Sequence, residues 1–327
     1  LTLANSPNKL PVFCYFDNLR RDTLQQQPNN KNSQDLAGKT AVVTGGNIGL
    51  GFQSTLELAR RGAHVVIACR SIEKGETAIA RVRQMVSSAS LEVLPLDLTD
   101  RKSIHRFAKA FTTKHQQLDI LLNNAGVVNL EQRMHTKEGW EMHMATNHLG
   151  HFLLTGLLFE TLVATPNARV VTVSSGGYRA AKLDLEDLHS EKRPYSRLGF
   201  YGNSKLANLL FMFALQRRFE AAGSSAKSVS AHPGLTATER QQSIGMGGWL
   251  SRFMARPVEF GCRPQLAAAT APDIAECAFL GPRFGLWGNP SPVKLSGPAV
   301  DAELQEKLWA LSERLTEFHY VKAGNTA

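Results

Sequence analysis

Thr44-Gly45-Gly46-Asn47-Ile48-Gly49-Leu50-Gly51 is the stretch that decides how this chain folds. It follows a short β-branched run, Thr40–Thr44, and precedes an amphipathic segment, Phe52–Arg61. Glycines at 45, 49 and 51 let the backbone turn sharply and approach a ligand without Cβ interference. The helix that follows presents N–H groups and a positive dipole end to a pyrophosphate. The spacing is GxxxGxG rather than the dinucleotide fingerprint GxGxxG, so the position between first strand and first helix carries much of the argument. Gly45, Asn47, Ile48, Gly49 and Gly51 are the expected cofactor contacts in this turn.

Beyond the turn, short apolar runs alternate with helical stretches. The predicted strands are Thr40–Thr44, His64–Cys69, Leu91–Leu96, Leu118–Asn123, Arg169–Ser174 and Ser228–His232; Phe52–Arg61, Ile72–Val86 and Ser103–Lys114 read as helices between them, and Asp301–Leu315 as the last. This order predicts an α/β fold, a single Rossmann-type domain with a doubly wound parallel sheet flanked by helices, over about residues 36–320. Residues 1–35, rich in Asn, Gln and Pro, read as a flexible extension carrying one apolar patch, Leu10–Phe16. Residues 241–271 crowd glycines with Trp249, Phe253, Met254 and Pro257, and are expected to form a mobile apolar flap rather than a core layer.

Composition narrows the function. The chain has 327 residues, 43% of them hydrophobic, enough for a sizeable core. Its 37 Lys and Arg against 28 Asp and Glu give a charge of +9, which suits anionic partners. The basic residues are scattered, which argues against nucleic acid. Four separated cysteines without CxxC argue against a disulfide framework or a cysteine zinc site. No apolar run approaches the roughly 18 residues of a transmembrane helix. The sequence starts at Leu1 rather than Met, so location is left open between cytoplasmic and peripheral on a membrane.

At the end of the second strand an NAD site usually carries an acid for the ribose 2′-hydroxyl, whereas arginine suits a 2′-phosphate. This chain has Arg70 there, which favours NADP(H) over NAD(H). Asp97, after the third strand, could accept from the adenine amino group or cap a helix. The turn Asn123-Asn124-Ala125-Gly126 ends the fourth strand, with Asn124, Ala125 and Gly126 expected near the adenosine half. Tyr201 and Lys205, four residues apart, share one helical face. A tyrosine of pKa near 10 is a poor acid or base at neutral pH, and a neighbouring ammonium, with the positive nicotinamide of the oxidised complex, is expected to draw it down. Ser175, just past the fifth strand, could hold a substrate oxygen.

These motifs in this order resemble the short-chain dehydrogenase/reductase family: TGxxxGxG at Thr44–Gly51, NNAG at Asn123–Gly126, serine at Ser175, YxxxK at Tyr201–Lys205 and a Pro-Gly turn at Pro233-Gly234. The resemblance implies a catalytic tetrad of Asn147, Ser175, Tyr201 and Lys205. In it Tyr201 is the general acid/base, Lys205 lowers its pKa and holds the nicotinamide ribose, Ser175 orients the substrate oxygen, and Asn147 supports a water in the proton relay. It also places Pro233, Gly234 and Thr236 beside the cofactor. Ala68-Cys69-Arg70-Ser71, Asn147–Phe152, Tyr201–Asn208 and Leu308–Glu313 are similar to the retinol dehydrogenase and protochlorophyllide reductase-like branch. That branch implies NADP(H) and a small hydrophobic alcohol or carbonyl substrate, and the wider family implies a homodimer or homotetramer; peripheral membrane contact stays open.

His135, His143, His148 and His151 lie close in sequence with Glu141 among them, but without HExxH they read as ordinary helix histidines, and no metal centre is expected. The leading expectation is hydride transfer between nicotinamide and a hydrophobic alcohol or carbonyl. Two alternatives remain: reduction of an enone C=C bond, and a non-catalytic NADP-binding regulatory or scaffold protein.

Overall fold

Alternating side chains along each strand build the two faces of the sheet. In the computed structural model, β1 (Thr40–Thr44), β2 (His64–Cys69), β3 (Leu91–Pro95), β4 (Ile120–Asn123), β5 (Arg169–Val173), β6 (Lys227–Ala231), β7 (Phe279–Pro282) and β8 (Pro290–Pro292) form one sheet in the order β3-β2-β1-β4-β5-β6-β7-β8. The first seven pair in parallel and β8 runs antiparallel at the edge. The structure describes residues 35–189, 191–234, 257–285 and 288–320, all within one compact unit, Asp35–Ala327. Leu10–Phe16, the rest of 1–34, and Thr236 lie outside the described residues.

Val43, Val65, Ile67, Leu122, Val171 and Val229 point to one face and are buried. They pack with α1 (Gly49–Arg60), α2 (Ile72–Met85) and residues near 262–274. Val42, Val66, Leu121 and Val170 point to the other, against Phe107 and Phe111 of α3 (Arg101–Lys114), Phe152, Phe211, Phe219 and Trp309. Period-two alternation within a sheet covered on both sides explains why both sets are apolar. Serine 71 and aspartates 100 and 301 cap the helices that follow them, accepting from Lys74 N–H, Lys102 N–H, and Glu303 and Leu304 N–H. Among the described residues no helix is long and apolar enough to cross a membrane.

The sequence-predicted flap, 241–271, needs correction over its second half. Residues 241–256 lie outside the described set, but α8 (Val258–Gly261) and α9 (Arg263–Thr270) are regular helices. Cys262, Leu266, Ala268 and Ala269 are buried in the first core cluster. The apolar run Leu266–Ala269 closes the α1 side of the sheet, so this part is a core layer. The strands β7 and β8 were not expected either. Both are short and proline-bearing, and Pro290 and Pro292 are tolerated because β8 is an edge strand.

Candidate active site

The strand order reverses at β1, between β2 and β4, and the crevice at the carboxyl ends of such strands is where open α/β sheets bind ligands. Gly45 and Gly49 there have φ of 65° and 56°, the left-handed region. Ile48 occupies the N-cap of α1 without a side-chain cap hydrogen bond, so the first turn is left open to an anion. A Cβ on Gly51 would lie 2.2 Å from the Gly45 carbonyl oxygen and 2.7 Å from Asn124 Nδ2. This is a backbone cradle that a side chain would fill, and it fits a dinucleotide pyrophosphate.

One threonine holds the cradle to the neighbouring strand. Thr44 Oγ1 accepts from the N–H groups of Asn124 and Ala125, both at 2.9 Å, and bonds His151 Nε2 at 2.9 Å. Since His151 Nδ1 faces the Asn147 carbonyl at 3.1 Å, Nδ1 carries the proton and Nε2 accepts from the threonine hydroxyl. Asn124 Nδ2 donates to the Thr44 carbonyl, and Gln265 of α9 donates to Asn124 Oδ1. Thr44, His151 and Gln265 were not singled out from sequence as site residues. They meet from positions up to 221 apart, which no local motif reveals.

Arg70 is exposed at the end of β2, and its guanidinium has no hydrogen-bond or ionic partner among the described residues. The Ser71 hydroxyl beside it is engaged in capping α2. Of the two local roles open to Asp97, helix capping falls to Asp100; Asp97 Oδ1 instead accepts from the N–H and hydroxyl of Thr99 in a tight turn.

Tyr201 and Lys205 sit one turn apart on α7 (Arg197–Ala221), with Lys205 Nζ 5.5 Å from the tyrosine ring centroid. Lys205 is buried, its Nζ donates to the Val173 carbonyl at 3.0 Å, and burial draws its pKa down to about 8. Ser175 caps a short 3-10 turn, Gly176–Ala180, its Oγ accepting from Gly177 N–H, and a Cβ on Gly177 would lie 3.5 Å from Ser175 Oγ and 3.4 Å from the Tyr201 ring, so the two side chains are neighbours. Burial pushes the Tyr201 phenol above its ordinary value, and Ser175 opposes that rise. In the protein alone, desolvation of the phenol outweighs the contribution of Ser175.

Asn147 lies in a single π-helical turn, Ala145–Leu149, between α4 (Met142–Met144) and α5 (Gly150–Leu157). Such turns often mark functional positions. Its Oδ1 accepts from Val127 N–H at 2.7 Å, while Nδ2 donates to the Val127 carbonyl and to Ser204 Oγ. Both ends of the amide are committed and the backbone carbonyl accepts from His151 Nδ1, so the Asn147 side chain clamps the segment after β4 to α7. It fixes the irregular segment after β4 that carries Gly126, whose added Cβ would fall 2.9 Å from Asn147 Oδ1 and 3.7 Å from Lys205 Nζ. Gly234 has φ of 70°, and its N–H donates to His232 Nδ1, which holds the Pro233-Gly234 turn at the end of β6.

The clustered histidines have separate roles. His143 pairs with buried Glu141 at 2.8 Å, His148 bonds Ser312, and His151 bonds Thr44. Burial drives His148 and His151 down to about 3 and His232 to about 4, against 6.5 when free. These groups stay neutral in the folded protein while the unfolded chain takes up protons below pH 6.5. Stability is complete above that pH and falls as pH drops towards 4, at up to about 1.4 kcal/mol per pH unit for each histidine. Urea denaturation at pH 7 and pH 5 is expected to show this loss, and His151→Gln to reduce it; a variant with the same pH dependence would exclude His151 as a source.

The sequence matches the short chain dehydrogenase family over residues 39–247. It is 37% identical to human retinol dehydrogenase 13, over 86% of this chain and 85% of that protein. It is 36% identical to mouse polyprenol dehydrogenase, over 85% and 84%. A solved structure of an uncharacterized protein from Mycobacterium paratuberculosis is 40% identical and superposes with a TM-score of 0.75, covering 89% of this chain and 97% of that one. With the cradle and the Ser175-Tyr201-Lys205 group at one end of the sheet, these likenesses place the chain in the short chain dehydrogenase family of oxidoreductases, in its retinol dehydrogenase-like branch.

Proposed function

We propose that the protein is an NADP(H)-dependent oxidoreductase that interconverts a hydrophobic alcohol and its carbonyl, with Tyr201 exchanging the proton. The observation that carries this reading is the convergence of Ser175 and Tyr201 on one spot beside Gly177, with Lys205 Nζ 5.5 Å from the tyrosine ring centroid, at the cradle's end of the sheet. The bound nicotinamide supplies the hydride in reduction and takes it up in oxidation. Tyr201 gives its hydroxyl proton to the substrate oxygen in the first direction and removes it in the second. Ser175 donates to the same oxygen and fixes it against the phenol. The Lys205 ammonium, held by the Val173 carbonyl, stabilises the phenolate left by proton donation. Asn147 ties the segment after β4, at Val127, to Ser204 of the same helix as Tyr201 and Lys205.

Arg70, exposed and unpaired among the described residues where an NAD site would carry an acid, supports the 2′-phosphate form of the cofactor. The substrate class rests on the relatives: retinol and polyprenol are both long isoprenoid alcohols, and their dehydrogenases align over most of this chain. Turnover of retinal and polyprenal with NADPH is expected to exceed that of small polar ketones in kcat/KM, with the alcohol as product. The reverse order would overturn the substrate class, and a saturated carbonyl product from an enone would point to C=C reduction.

A further inference from the structure

Three side chains converge at the far end of the sheet from the cradle. His64 opens β2, Glu92 is the second residue of β3, and His115 follows α3 as its C-cap. The length of β2, roughly 17 Å, separates this cluster from Arg70. One ligand atom from each lies within 4.8 Å of the other two. His115 Nε2 is 3.2 Å from Glu92 Oε2, and His64 Nε2 is 3.9 Å from the same oxygen. Ligands of a tetrahedral zinc ion at about 2.0–2.2 Å stand about 3.3–3.6 Å apart, so these separations bracket that edge.

The surroundings match those of a metal site. His64 Nδ1 is engaged by Ser90 Oγ at 2.7 Å, the outer contact that fixes the tautomer of a metal-binding histidine. His64 Nε2 is buried with no hydrogen-bond partner, an orphan that a cation would satisfy. Lys114 bonds Glu92 Oε1, which leaves Oε2 facing the two imidazoles. The ring of His115 is braced by Phe111 at 4.8 Å. Side-chain exposures of 29, 20 and 16% for His64, Glu92 and His115 leave a path for an ion and a water.

We propose that His64, Glu92 and His115 bind one divalent transition-metal ion, zinc by preference, in a site that ties β2, β3 and the end of α3 together. Two imidazoles and one carboxylate suit this ion, with water as the fourth ligand. The proton on His115 Nε2 leaves when the metal binds, either to solvent or to Nδ1. The role is structural, because the cluster lies at the opposite ends of the strands from Tyr201.

The test uses the full chain, stripped with a chelator and dialysed. It is titrated with zinc chloride by calorimetry and with cobalt(II) by visible absorption. One saturable equivalent, a tetrahedral cobalt spectrum and a rise in Tm with zinc are expected for the wild type. Ser90→Ala should weaken zinc by at least about tenfold. His64→Gln, Glu92→Gln and His115→Gln should abolish the tight equivalent and the Tm rise, and any of the three with wild-type circular dichroism decides the matter. No saturable binding by the wild type, or unchanged affinity in such a variant, overturns the proposal.

Discussion

Tyr201→Phe is expected to lose ~10²–10⁴-fold in kcat while the Kd for NADPH stays within about twofold of wild type. The substitution removes one hydroxyl and keeps the ring, so packing on α7 and its contact with His143 persist. What disappears is the O–H that would deliver the proton. Transient kinetics with a hydrophobic aldehyde checks this, alongside fluorescence titration of the cofactor. A variant that binds NADPH and still turns over at the wild-type rate would move proton transfer to another group. If the wild type itself binds cofactor and turns over none of the aldehydes and ketones tested, the scaffold reading gains ground.

Gly51→Ala carries the second large effect. The added Cβ falls 2.2 Å from a backbone oxygen and 2.7 Å from Asn124 Nδ2. Neither can swing away cheaply: the oxygen belongs to Gly45 in the turn, and the amide is fixed by the Thr44 carbonyl and Gln265. Relief requires α1 to shift outward from β1, which reshapes the cradle. A destabilisation of about 3 kcal/mol is expected, the upper end for overpacking, together with loss of NADPH binding. Urea denaturation and cofactor titration of the same preparation measure both. Wild-type stability with unaltered binding would mean that the cradle is looser than its contacts indicate.

The regular part of the fold was legible because it is local. β1 and β2 begin and end where the apolar runs do, and α2 and α3 lie within two residues of their amphipathic stretches. The grouping of the proposed catalytic side chains was legible for a related reason: Tyr201 and Lys205 need only one helix to meet, and Ser175 needs only a strand end. The hub was not. Thr44 reaches His151 across 107 positions, and Gln265 comes from a segment whose glycines and aromatics upstream suggested a flap. The burial of Tyr201 and Lys205 also escaped sequence reasoning, since spacing shows that a lysine is near but not how much water both groups have lost. The His64–Glu92–His115 cluster joins three separate element ends, so sequence gave no reason to expect a metal there.

The most direct test of the account is a titration of the purified wild-type protein with NADPH and with NADH, repeated on Arg70→Asp. The wild type is expected to bind NADPH the more tightly. Arg70→Asp should lose about 1.5–3 kcal/mol of that affinity, roughly 10- to 150-fold, and should turn the preference towards NADH. Equal affinities in the wild type, a preference for NADH, or binding of neither would contradict the reading of the cradle and of Arg70.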